Sequence, residues 1–243
     1  IPSVQTWLTG KAVAFLEEKI GTEVSLEGIS ISFPKKIVLE GIYLEDQKGD
    51  TLLYAGKLAI DTDLLALTRN EIQLDEIVLE NAAAFVSRAE RDSAFNFTYI
   101  LDAFAGDSTA VPDTLEQKGW NITLNALDLE KIRVLFDDRL QGNLLNLSLG
   151  TFELDMHSFD LENNVYEVEG ILLENTRASL IQSKLLTAPE ETTDQEDIDS
   201  TAALVFSMDE LTLRNVSVNY EQSVLGQRMR MDLGEAEVLS DKI

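Results

Sequence analysis

Apolar residues alternate at Ile72 and Leu74, skip one extra place, and resume at Ile77 and Leu79. Alternation by two marks a strand with one buried face, because successive side chains point to opposite sides of a sheet. An extra residue at Asp75-Glu76, as in a β-bulge, keeps both halves of the apolar set on one face. The same spacing, apolar-x-apolar-x-x-apolar-x-apolar, recurs along the chain. It is carried by Val24, Leu26, Ile29, Ile31; by Ile37, Leu39, Ile42, Leu44; and by Leu127, Leu129, Ile132, Val134. Tyr166, Val168, Ile171, Leu173 and Leu211, Leu213, Val216, Val218 complete the set. Leu74–Asn81 and Val168–Asn175 read almost alike, ending in Ile77-x-Leu79-Glu80-Asn81 and Ile171-x-Leu173-Glu174-Asn175. Val168 follows Leu74 by 94 residues, Leu129 follows Leu39 by 90, and Leu213 follows Leu129 by 84. Such self-similarity predicts two and a half copies of a β-rich unit.

The remaining elements follow from local signals. Val4, Trp7, Leu8, Phe15, Leu16 and Ile20 share a face at helical spacing, Ser3 is placed to cap the start, and Gly21 to stop it. A helix over 3–20 is therefore expected to close one end of a sheet. Strands are expected at 24–33, 36–46, 51–62, 71–80 and 82–88, with a short helix from Asp63. Asn96 is placed to cap a helix carrying Phe97, Ile100, Leu101 and Phe104, ended by Gly106. Further strands are expected near 120–137, 140–156, 165–184, 203–220 and 227–238, with Met156–Leu161 in the place of the earlier short helix. The chain then divides into a capping helix (1–21), unit one (22–88) and a helical insertion with loop (89–119). Unit two (120–186), an acidic flexible loop (187–202) and the start of unit three (203–243) follow. The expected fold is mainly β: one elongated, curved antiparallel sheet, open as a U-shaped groove of repeated units.

Charge changes the picture. The chain of 243 residues carries 19 basic and 44 acidic residues, a net charge of −25. Without a basic cluster it lacks the footprint that nucleic acid or anionic headgroups require. The acidity reads as a solvated outer surface that keeps an edge-rich β protein soluble. Absence of cysteine excludes disulfides and thiolate chemistry. No apolar run reaches the length of a membrane span. The start at Ile1 without Met or a leader predicts a mature or trimmed chain, and any anchor would lie outside it.

Catalytic patterns are missing. The single histidine, His157, leaves no means of building a typical zinc site without cysteine. Carboxylate pairs are too common here to signal acid–base chemistry, and no nucleotide or nucleophile motif occurs. Three of the four Asn-x-Ser/Thr sequons, at Asn121, Asn146 and Asn215, fall inside expected strands, which makes them chance matches. The chain is read as a non-enzyme without cofactor or metal.

Two outcomes are open for the apolar stripe. A closed sheet would bury it as a filled core, and an open one would leave a trough suited to an acyl chain. Its lining would comprise Leu26, Ile29, Ile31, Leu39, Ile42, Leu44, Leu74, Ile77, Leu79, Leu129, Ile132, Val134, Val168, Ile171, Leu173, Leu213, Val216 and Val218.

Several of these stretches also resemble a known family. They are the amphipathic helix, the strand ending in Phe33-Pro34 and the run Leu39-Glu40-Gly41-Ile42-Tyr43-Leu44-Glu45-Asp46-Gln47-Lys48-Gly49-Asp50 continuing to Gly56. Asp63-Leu64-Leu65, the Ile77-x-Leu79-Glu80-Asn81 ending and Arg88 belong with them. Together they are similar to the N-terminal region of the TamB family of AsmA-like proteins (translocation and assembly module), in its Bacteroidetes form. The resemblance is most specific over 1–105. It implies a periplasmic protein anchored in the inner membrane by a segment upstream of this chain. It implies kinship with chorein-type, bridge-like lipid transfer proteins, whose open β-groove passes phospholipid towards the outer membrane. It further implies a role in outer-membrane protein biogenesis with a TamA-type barrel partner, met through regions outside this chain. The ligand would be phospholipid or a fatty acyl chain. A different reading is a scaffold that captures outer-membrane β-barrel clients by adding their strands to an exposed sheet edge.

Overall fold

The computed structural model describes residues 2–32, 35–63, 71–104, 121–160, 164–185 and 205–240. Helix α1 (Pro2–Ile20) precedes β1 (Val24–Ser25), β2 (Gly28–Ser32), β3 (Lys36–Glu45), β4 (Thr51–Thr62) and β5 (Glu71–Arg88). Helix α2 (Thr98–Phe104) is followed by β6 (Asn121–Leu124), β7 (Ala126–Asp138), β8 (Asn143–Asp160) and β9 (Val165–Gln182). Strands β10 (Val205–Gln222) and β11 (Gln227–Leu239) end the described chain.

All the strands join one sheet in the order β1-β3-β4-β5-β7-β8-β9-β10-β11, with β2 on β3 and β6 on β5. The sheet is not closed: its edges lie at β1–β2 and at β11. The expectation of an antiparallel sheet is corrected here. β5 pairs with β6 and β7 in parallel, and β9 pairs with β10 in parallel. A parallel pair needs a crossover of a dozen or more residues, and the segments after β5 and after β9 are the two connections long enough to supply one. Within each meander, β3-β4-β5 and β7-β8-β9, neighbours are antiparallel, and the connecting segments are too short for a parallel crossover.

Local outcomes differ in instructive ways. The expected break near residue 81 is absent, and β5 runs unbroken for 18 residues. Met156–Asp160 continues β8 instead of forming a short helix. Asn96 does not cap α2. Its side chain accepts from Ser87 N–H (2.9 Å) and donates to the Phe85 carbonyl (3.0 Å) and Asp46 (3.2 Å), sealing the end of β5. The expected helix from Asp63, the stop at Gly106 and the acidic loop fall largely or wholly outside the described residues.

Helix α1 ends as its sequence requires. Gly21 adopts φ +75°, a conformation open to glycine without a Cβ penalty, and its N–H donates to the Glu17 carbonyl (2.8 Å). The helix lies against β1, β2 and α2, with Thr9 Oγ1 accepting from Ile29 N–H (3.1 Å). Tyr99 of α2 ties this corner together, donating to the Glu45 carbonyl (2.7 Å) and meeting Thr22 Oγ1 (3.1 Å).

Candidate functional site

The ladder register sorts the apolar residues into rows that cross the sheet. One row reads Ile29, Leu39, Leu58, Leu79, Leu129, Phe152, Leu173, Leu213, Ala236. The next reads Ile31, Ile37, Ile60, Ile77, Leu127, Leu154, Ile171, Leu211, Val238. Leu44, Leu53, Ala84, Val134, Leu147, Ala178, Val218 and Met231 make a third. Between the first and third rows, Ala55, Ala82, Ile132 and Leu149 form a buried cluster against which Ile42, Leu79, Leu129, Val134, Phe152 and Leu173 pack. The rows therefore share one face, and Val216 is buried on the same strand as Leu213 and Val218.

The slip in the spacing has two structural origins. At Asp75 and at Glu169 it is a true bulge: Asp61 and Thr62 pair with Glu76 and Leu74, and Asp155 and Met156 pair with Gly170 and Val168. Leu74 and Val168 thus stay on the apolar side beyond each bulge. At the remaining slips, two of which lie farther along β5 and β9, no residue is inserted. Gly41, Asn81, Lys131, Asn175 and Asn215 adopt left-handed backbone, with φ between 51° and 60°. The ladder stays in step on both sides of each, with Gly56, Gly150 and Gly234 at the matching places of β4, β8 and β11. Every strand changes parity on the same row, so the apolar face survives the change. The recurrent Leu-Glu-Asn ending places asparagine, which tolerates this conformation, at that point.

The sequence reading missed three of the eight strands of the face, β4, β8 and β11. Leu147, Leu149, Phe152 and Leu154 of β8 follow the same spacing, as do Leu53, Ala55, Leu58 and Ile60 of β4. The signal was present there, with alanine weakening it in β4.

The exposure of these rows matters most. Ile29, Ile132, Val168 and Val216 are buried, but Leu39, Leu79, Leu129, Leu173, Leu213, Ile77, Ile171, Ile42, Leu44, Leu74, Val134 and Val218 are only half-buried. Leu26, in the gap between β1 and β2, is half-buried, and Ile31 is exposed. Among the described residues, no second sheet and no helix packs across β5, β7, β8, β9 and β10. On α1, Ile20 is buried and Leu8 and Leu16 half-buried, whereas Trp7 and Phe15 are 63% and 59% exposed. The side chain of Val4 lies outside the described residues.

The opposite face carries most of the charge, interspersed with Val38, Tyr54, Ala59, Val78, Phe85 and Leu172. Glu40, Lys57, Glu80, Glu130, Thr151, Glu174, Arg214 and Glu235 occupy the row that flanks the left-handed positions. Asp128 and Glu153 stand directly opposite one another. Desolvation and then the carboxylates of Glu76, Asp155 and Glu130 raise the Asp128 carboxyl; partial desolvation of the otherwise exposed Glu153 and then Asp128, Asp155, Glu174 and Glu130 raise that carboxyl too. Among the described residues no three acidic or imidazole side chains converge to hold a metal ion. His157 lies exposed between Asp209 (3.1 Å) and Glu169 (3.7 Å).

At the strand ends, Arg88 donates through Nε to the buried Asp138 (2.9 Å) and lies 4.4 Å over the Phe95 ring. Phe95 in turn meets Phe136 at 5.5 Å. These contacts anchor the segment that leaves β5 to the sheet, beside the start of the first crossover.

The fold and these rows define a class: an open, mixed β-sheet, one face of which carries apolar rows left partly exposed and bounded at the strand ends by the polar row Arg88, Asp138, Asn143, Gln182, Gln222, Gln227. No family model matches the chain, and no curated protein matches it. No helix among the described residues is long and apolar enough to cross a membrane.

Proposed function

We propose that the apolar face is the floor of an open, U-shaped trough that binds acyl chains and conducts phospholipid, without catalysis. The observation that carries this reading is the incomplete burial of two apolar rows that cross a sheet that does not close. A leucine row left uncovered in water is costly, and a hydrocarbon chain laid along it removes that cost at about 0.8 kcal/mol per buried CH₂. A tail of ordinary length gains on the order of 10 kcal/mol before ordering costs. Eight strands spaced about 4.8 Å apart make a floor roughly 34 Å long. Each added strand lengthens it without altering its section, as in solenoid growth.

The likeness to AsmA-like proteins supports the same reading and extends it. In that extension the chain is a segment of a periplasmic bridge between inner and outer membranes, anchored upstream and linked to outer-membrane protein assembly. Helix α1 would close the end of the trough nearest the anchor.

The test is native mass spectrometry and lipid extraction of the purified chain, alone and after incubation with phospholipid vesicles. Co-purifying phospholipid is expected, and Leu129→Asp with Leu173→Asp should remove it while circular dichroism stays unchanged. Ser148→Asp, on the opposite face, should retain it. Ile132 is avoided because it is buried, and a charge there would unfold the sheet. A chain that takes up no lipid, or takes it up equally with both leucines replaced, would sink the proposal.

A further inference from the structure

The left-handed row obeys a direction rule. Strands β3, β5, β7, β9 and β10 run one way, and each carries the left-handed residue: Gly41, Asn81, Lys131, Asn175 or Asn215. Strands β4, β8 and β11 run the other way, and each carries a glycine, Gly56, Gly150 or Gly234, at the matching place.

The first two glycines have a visible reason. A Cβ on Gly56 would lie 3.2 Å from the Asn81 Cβ, and one on Gly150 would lie 2.6 Å from the Asn175 Cβ. In both cases the nearest atoms belong to the strand that follows in the sheet. Gly234 has none: a Cβ there meets nothing within 4 Å, although Asn215 occupies its row on the inner side. Among the described residues nothing pairs with the outer edge of β11. Among the described residues, then, the place that Asn81 and Asn175 take beside Gly56 and Gly150 is open beside Gly234.

We propose that the free edge of β11 accepts an antiparallel strand that sets a left-handed asparagine or glycine against Gly234, with Lys or Arg immediately before it. The basic residue follows from charge. In two of the ladders the residue preceding the left-handed position forms an ion pair with its cross-strand neighbour, Glu80 with Lys57 (2.5 Å) and Arg214 with Glu235 (3.3 Å). Glu235 remains 71% exposed, so its outer side favours a cation. On the apolar side, Met229, Met231 and Val238 are 57%, 45% and 54% exposed and call for apolar partners at alternate positions. This inference concerns the sheet edge and does not depend on what the apolar face binds.

The chain's own β10 sequence has the required chemistry in Leu213-Arg214-Asn215-Val216. A fluorescent peptide of residues 208–222 is therefore titrated into the full chain and followed by anisotropy, with a photo-crosslinker at peptide position 213. Binding is expected, with the crosslink on β11 near Ala236. Asn215→Val or Arg214→Glu in the peptide, or Gly234→Val in the chain, should each weaken it at least tenfold. Gly234→Val should leave the melting temperature of the free chain unchanged. Failure of the native peptide to bind, equal binding of the Asn215→Val peptide, or a crosslink confined to the apolar face would overturn the proposal. So would a β11-to-β11 dimer of the chain that already fills the edge, or a lowered melting temperature for Gly234→Val.

Discussion

Gly150 on β8 faces Asn175 on β9 so closely that an added Cβ would stand 2.9 Å from the Glu174 carbonyl oxygen and 3.0 Å from that of Asn175. Those are backbone atoms, which cannot swing aside. Gly150→Ala should therefore destabilise the chain by about 1–3 kcal/mol through overpacking. Gly56→Ala, whose closest contact is a side-chain carbon at 3.2 Å, should cost less. Urea denaturation of the two variants side by side checks the order; a reversal would mean that the glycine row is not set by these contacts.

Lys131 is the only non-Gly, non-Asn residue among the described left-handed positions (φ 54°). It is exposed, and the left-handed region costs a residue with a Cβ roughly 1–2 kcal/mol unless a short polar side chain compensates. Lys131→Asn should raise the unfolding free energy by about 0.5–1 kcal/mol. Asn175→Val, by contrast, puts a β-branched residue where the backbone is left-handed and should lower it by at least as much. Thermal melts of both variants would show opposite shifts.

Stability should peak at mildly acidic pH. The Arg88 side chain, through its hydrogen bonds, holds the Asp138 carboxyl below the usual carboxylate range against the opposing effect of burial. Burial pushes Asp46 up, but N–H groups of Lys48 and Asp50 and the Asn96 amide outweigh it and leave that carboxyl low as well. A depressed folded-state pKa contributes stability above the unfolded value, about 3.9 for Asp, and loses it as pH falls through the folded value. Asp128 and Glu153 are raised, so the folded state gains stability as pH falls from neutral through their folded values. Melting temperature should rise as pH falls from 7 through the folded values of Asp128 and Glu153, then collapse below about 4. A monotonic fall from pH 7 would contradict the opposition of the two sets.

The same facing pair gives a single-site prediction. Like charges directly opposite across an antiparallel ladder destabilise it, so Glu153→Gln should stabilise the chain by about 0.5 kcal/mol at neutral pH. The gain should shrink in high salt, because Glu153 is exposed and screening already weakens the repulsion. Melts of the variant and parent at two ionic strengths would separate this from a packing effect, which salt would not alter.

The contribution of the sequence and that of the tertiary structure divide along a physical line. Side-chain parity is local, since each residue's face follows from its neighbours. The spacing around Leu129-Glu130-Lys131-Ile132 or Leu213-Arg214-Asn215-Val216 was therefore enough to place these side chains on one face. The helix stop at Gly21 and the strand positions of β3, β4, β7 and β9 were legible for the same reason. The bulge expected at Asp75-Glu76 is present, but that the same spacing marks a left-handed residue at Lys131 was not legible, because it depends on what the neighbouring strand does on the same row. Strand order, the parallel junctions of β5 with β7 and β9 with β10, and the two open edges were decided only by the tertiary structure. They arise from pairing between segments far apart in the chain, where the alternation reads the same in either direction and on either side.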